Sequence, residues 1–137
     1  MTSGRRQVIV VDAANVVGSR PDGWWRDRPG AARKLLLKLA ALQEHLAETT
    51  DVVVILEGAA RAAVSGPDAP EVGTLRVVLA DGSGDDTIVD VTAECAAHES
   101  DPEITVVTAD RGLRQRIEPT GATPEGPRWL LSQLDNL

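Results

Sequence analysis

The sequence predicts an α/β fold of three layers, α/β/α, with a mostly parallel sheet sandwiched between helices. Two observations carry that expectation. Short runs rich in Val, Ile and Leu at 8–11, 52–56, 75–79 and 104–108 largely lack polar alternation, as strands buried on both faces do. Between them lie stretches whose apolar residues recur at helical spacing, so strand and helix alternate and right-handed crossovers follow.

The first strand, 8–11, is closed by Asp12. A polar loop over 15–29 is expected next, and Pro29 suits the first turn of a helix on which Leu35, Leu36, Leu39, Leu42 and Leu46 repeat. The second strand, 52–56, runs into Glu57-Gly58 and a Gly- and Pro-rich loop through Pro70. The third, 75–79, leads through Asp81-Gly82-Ser83-Gly84 into a helix that carries Ile88, Val91 and Cys95 and ends near His98. The fourth, 104–108, precedes a short helix over 111–117. Residues 118–127 leave room for a short edge strand, and 129–134 reads as a closing helix. No repeat or linker divides the chain, so 1–137 is expected to form one domain around a single core.

Hydrophobic residues make up 42% and charged residues 26%, the balance of an ordinary water-soluble domain. Phe and Tyr are absent, which leaves Trp24, Trp25 and Trp129 as the only rings able to stack on a ligand. With Cys95 alone, an internal disulfide and a cysteine-ligated zinc are both excluded. The apolar stretch near the start is only a strand long, so neither a signal peptide nor a membrane span is expected, and a cytoplasmic location follows. The net charge of −7 works against broad attraction to nucleic acid. Arg20, Arg26, Arg28 and Arg33 after Asp12, and Arg111, Arg114 and Arg116 after Asp110, offset it locally.

The candidate site is acidic. Asp12 and Asp110 each follow a buried strand, where ligands bind in open α/β sheets. Gly82-Ser83-Gly84-Asp85-Asp86 opens a helix on which Asp86 and Asp90, four residues apart, share a face. Unit charges about 4 Å apart repel by roughly 4 kcal/mol at an effective dielectric near 20. Mg²⁺ or Mn²⁺ removes that repulsion, prefers carboxylate oxygen, and supports hydrolysis at phosphorus. Each acid also has a plainer use: Asp12, Asp85 or Asp86, and Asp110 can cap turns or helices, and Asp90 can sit on a solvated face.

The succession Val11-Asp12-Ala13-Ala14-Asn15, Gly82-Ser83-Gly84-Asp85-Asp86-Thr87-Ile88 and Val107-Thr108-Ala109-Asp110-Arg111 resembles the NYN domain of the PIN-like nuclease superfamily, its YacP-like branch in particular. The resemblance spans most of the chain, from Val8 to about Leu134. It implies a sheet in the order 3-2-1-4-5 and a metal-dependent ribonuclease acting on single-stranded RNA. By the same resemblance Asp12, Asp86, Asp90 and Asp110 hold Mg²⁺ or Mn²⁺, and Asp85 competes with Asp86 to be the inward acid. Asn15 would orient Asp12 or the substrate, and Thr108 would bond a carboxylate or phosphate; Arg26, Arg28 and Arg111, by their places just after Asp12 and Asp110, would meet the RNA.

Two rival functions stay open: a non-catalytic RNA-binding or adaptor domain, and a phosphohydrolase of nucleotides or small phosphate esters. A P-loop triphosphatase is excluded because no Gly-x-x-x-x-Gly-Lys-Ser/Thr run exists. A haloacid-dehalogenase-like phosphatase needs an Asp where Ala14 stands. Trp24-Trp25 suits either stacking on unpaired bases or covering the first helix, and Glu57 with Arg61 suits either the rim of the site or a local ion pair. The short apolar closing helix is compatible with a homodimer.

Overall fold

The computed structural model describes residues 5–20 and 22–137. Five strands form one sheet: β1 (Gln7–Asp12), β2 (Thr50–Leu56), β3 (Arg76–Leu79), β4 (Glu103–Val107) and β5 (Thr123–Glu125). Their order is β3-β2-β1-β4-β5 and every pairing is parallel, which is the expected order. The helices are α1 (Ala13–Gly18), α2 (Arg28–His45), α3 (Gly84–Ala96), α4 (Arg111–Ile117) and α5 (Pro127–Asp135).

Alternation along the strands splits the core into two apolar layers. Ile9, Val11, Val52, Val54 and Leu56 pack with Val16 of α1, Leu35, Leu36, Leu39 and Leu42 of α2, and Leu130 and Leu134 of α5. Val8, Val10, Val53, Ile55 and Val106 pack on the opposite face with Ile88 and Val91 of α3 and Leu113 and Ile117 of α4. Leu36 and Leu39 are fully buried, each contributing about 2 kcal/mol by the area it removes from water. The start of α2 is set by Asp27, whose carboxylate accepts from Gly30 N at 3.0 Å, with Pro29 in the first turn.

Two expected loops are partly helical. The segment 15–29 takes in the end of α1 and a 3₁₀ turn at Trp24–Arg26, because Asp12 caps a helix that starts at the next residue. Six residues are too few to display a 3.6 period, so α1 leaves no pattern to read. A second 3₁₀ stretch, Gly58–Val64, follows β2, with Ala63 buried. The short strand β5 does occupy part of 118–127, and Pro124 is tolerated there because β5 lies at the edge of the sheet.

The parallel order brings all the strand ends to one side. After β3 the chain returns past β2 and β1 to form β4, so β1 and β4 lead away in opposite directions and a crevice opens at their carboxyl ends. Among the described residues no helix is long and apolar enough to cross a membrane.

Candidate functional site

Asp12 stands at the end of the central strand and is only 5% exposed. Its Oδ1 accepts from Asn15 N at 3.3 Å and its Oδ2 accepts from the Thr108 hydroxyl at 2.9 Å. Burial, aided by the negative charges of Asp85 and Glu57, raises its pKa from near 3.8 to about 6, against the pull of those hydrogen bonds. A carboxylate this costly to bury, with two acids beside it, is the electrostatic centre of the edge.

Thr108 is the junction. Fully buried just beyond β4, it donates to Asp12 and accepts from Asp110 N at 3.1 Å through the same hydroxyl oxygen. Its backbone is held as well, since its N–H donates to Glu125 O at 2.8 Å and its carbonyl accepts from Arg114 Nε at 2.9 Å. The Asn15 side-chain oxygen accepts from Ala109 N at 2.9 Å, tying α1 to the β4–α4 turn. Asp110 caps α4 by accepting from Leu113 N at 3.0 Å, and its side of the turn is exposed. Thr108 thus reaches Asp12 through its side chain, whereas Asn15 reaches it only through its backbone N–H and spends its side chain on Ala109.

The acids on α3 are arranged differently from expectation. Asp85 is half-buried and its pKa is raised by burial first, then by the charges of Asp110 and Glu57, with Arg116 opposing. Asp86 is exposed and pairs with Arg116 at 2.8 Å. Asp90, one turn on, is exposed too and makes no hydrogen bond or ion pair among the described residues. Of the adjacent pair left open on α3, Asp85 is the inward acid, and Asp86 and Asp90 lie on its exposed side. Helical geometry gives the reason: Asp85 lies three residues before buried Ile88, on the stripe that packs against the sheet, and Asp86 is turned from it by roughly 100°.

Of the two readings of Glu57, the rim of the site is the one its surroundings favour. Glu57 follows β2, the neighbour of β1, and its Oε2 accepts from Gly84 N at 3.1 Å. A Cβ at position 84 would fall 2.7 Å from Glu57 Oε1, so glycine permits this approach. Arg61 instead donates to the carbonyls of Gly58 and Ala80 at 3.2 and 3.3 Å, so the alternative Glu57–Arg61 ion pair is not formed. The rim reading rests on position: Glu57 follows the strand beside β1, as Asp110 follows the strand on its other side.

Basic and aromatic groups flank the acids. The Arg28 guanidinium lies 5.4 Å from the Trp24 ring centre and that of Arg26 lies 5.9 Å from Trp25. The two indoles meet edge to face at 6.2 Å, with Trp24 half-buried and Trp25 54% exposed. One part of Trp24 packs against Gly18 of α1, while Trp25 points to solvent. Arg111 is exposed in the first turn of α4, beside Asp110.

No family model and no curated protein sequence matches the chain. Among solved structures it is similar to Rae1 (YacP) from Bacillus subtilis, at a TM-score of 0.72 and 20% identity, over 95% of this chain and 74% of that one. A point mutant of the same protein gives 0.74 at 19% identity, over 95% and 76%. This chain has the YacP-like NYN fold. In that YacP-like frame the switch between β1 and β4 is where Asp12, Thr108 and Asp110 meet.

Whether this YacP-like edge suits a metal depends on its donors. Asp12, Asp85 and Asp110 offer carboxylate oxygens only, the donor set of Mg²⁺ or Mn²⁺ rather than zinc, and each bonded oxygen keeps a second lone pair. Burial is the main cause of the raised pKa values of Asp12 and Asp85, and the smaller share due to repulsion, from Asp85 on Asp12 and from Asp110 on Asp85, is what a dication would offset. As arranged, no three acidic, His or Cys side chains among the described residues converge on one point. In donor chemistry and charge the set is that of a hard cation, and half-buried Asp85 and exposed Asp110 are the two that would have to turn toward buried Asp12.

Proposed function

We propose that this chain is a metal-dependent ribonuclease that hydrolyses phosphodiester bonds in single-stranded RNA at the crevice between β1 and β4. The observation that carries the reading is the burial of Asp12 at that crevice with its pKa raised to about 6 amid like charges. The resemblance of the three sequence motifs to NYN nucleases and the YacP-like fold support it.

Asp12, Asp85 and Asp110 would hold Mg²⁺ or Mn²⁺, which when bound lowers the pKa of water and stabilises charge on phosphate. Thr108 and Asn15 fix the Asp12 carboxylate through both its oxygens, so this donor is set before substrate arrives. Asp85 makes no protein hydrogen bond among the described residues, so neither of its oxygens is committed elsewhere before an ion binds. Exposed Arg28 and Arg111 would meet phosphates of a bound strand through their guanidinium groups.

Millimolar Mn²⁺ should raise the melting temperature of the protein by several degrees, since an ion that binds the native state at 100 times its Kd stabilises by about 2.7 kcal/mol. Asp12→Asn should abolish that shift. Equal shifts in both proteins would remove the metal from the proposal. Between the adjacent acids, Asp85→Asn should cut cleavage of labelled RNA at least tenfold, whereas Asp86→Asn should leave it within twofold. The Asp86–Arg116 pair is exposed on both sides, so its loss should cost under about 1 kcal/mol in urea melts.

One observation favours a second reading, an RNA-binding adaptor without turnover. Asp12 and Asp110 both cap helices and Asp86 pairs with Arg116, so these acids have structural uses without a metal. RNA binding that is independent of divalent ions and leaves the strand intact would decide for it.

A further inference from the structure

Beside the acids lies a cavity of about 310 Å³, bounded by Ala13, Trp24, Arg28, Ala32, Glu57 and Ala60. Its location joins it to the site: Ala13 directly follows Asp12, and Glu57 forms a wall shared by the cavity and the acidic cluster. Its volume is at the small end of ligand pockets, which run from roughly 300 to 1,000 Å³, so it suits one planar ring better than a chain of them. The walls have the chemistry of a base-binding slot. An indole and a guanidinium provide flat stacking surfaces, alanines leave the floor open, and one carboxylate supplies a directional acceptor.

We propose that this cavity receives a single unpaired nucleobase of the RNA strand whose phosphate lies at the acids, and that Glu57 selects a base with an amino group at its edge, guanine foremost. An ionised carboxylate only accepts hydrogen bonds. Guanine presents N1–H and N2–H side by side, matching two carboxylate oxygens, whereas uracil presents its ring N–H between two carbonyl oxygens that the same carboxylate repels. Glu57 keeps its bond to Gly84 N in this arrangement, because each oxygen has two lone pairs and Oε2 alone is engaged. The inference rests on the nuclease reading for its substrate, but nucleoside binding can be measured without turnover.

The test is a titration of the ¹⁵N-labelled protein with guanosine or uridine in EDTA, following the three indole N–H signals. Guanosine should move the Trp24 signal at millimolar concentration and leave that of Trp129 in place, and uridine should bind at least fivefold more weakly. Ala60→Leu, which fills the cavity from its rim, should abolish the Trp24 response with the remaining indole signals at their wild-type positions. Glu57→Gln should bring the two nucleosides within twofold of each other. A Trp24 signal that guanosine never moves, or an Ala60→Leu protein that titrates like wild type, overturns the pocket even if RNA is cleaved. A guanosine response that Ala60→Leu removes, in a protein that cuts no RNA, upholds the pocket and removes only the nuclease reading.

Discussion

Asp12→Asn should abolish RNA cleavage and at the same time make the metal-free protein more stable at neutral pH. The loss of activity should be at least about 100-fold, beyond the 10- to 100-fold typical of residues that merely support a metal ligand. The gain in stability follows from linkage. The Asp12 pKa is near 3.8 when the chain is unfolded and about 6 when folded, so the folded state binds the proton more tightly. Stability from this group is fully present below pH 3.8 and is lost as pH rises through about 6. The loss amounts to about 3 kcal/mol, with the ion absent. Asn escapes it, at a cost of about 1 kcal/mol for a poorer bond to Thr108 or Asn15, leaving a net gain of roughly 2 kcal/mol and 5–10 °C. Urea melts of the two proteins from pH 4 to pH 7.5 measure it: the variant's advantage should grow across that interval and level off above pH 6. An advantage that does not change with pH would show that Asp12 is ionised without penalty.

Thr108→Val is expected to have the opposite sign. Valine keeps the volume and removes a hydroxyl that serves Asp12 Oδ2 and Asp110 N together. A hydrogen bond to a buried charge is worth about 1.5–3 kcal/mol, and the Asp110 N–H loses its partner as well, so a destabilisation of roughly 3 kcal/mol is expected at pH 7.5. Because the Thr108 bond lowers the Asp12 pKa, its removal should raise that pKa further. The deficit should shrink at pH 4, where Asp12 is protonated in both proteins. Thr108→Ser, which retains the hydroxyl, should recover most of the stability and the activity. A valine variant as stable as the serine one at pH 7.5 would mean that the hydroxyl carries none of this load.

Much of the fold was legible because burial on both faces leaves an unbroken apolar record. Strands β1, β2 and β4 are mostly Val and Ile, and the leucines of α2 repeat over enough turns to show their period. Helix α1 and the 3₁₀ stretch Gly58–Val64 were not, the first being too short and the second being mostly alanine and glycine. The site divides in the same way. Asp12 and Asp110 are found from strand ends alone, and Thr108 from its place two residues before Asp110. The choice of Asp85 over Asp86 was readable in principle from the stripe through Ile88 and Val91, whereas counting acids four apart selected Asp86 and Asp90 instead.

Local pattern, then, was enough to order strands and helices and to bring Asp12 and Asp110 to one edge, because the side from which a residue leaves a parallel strand depends only on its position in the run. The rotation of α3 about its axis and the approach of Glu57 to Gly84 are of another kind. They depend on how a helix packs on a sheet and on what a neighbouring strand delivers beside it, a matter of contacts between segments far apart in the chain, and it is those contacts that put Asp85 and Glu57 rather than Asp86 and Asp90 into the field of Asp12.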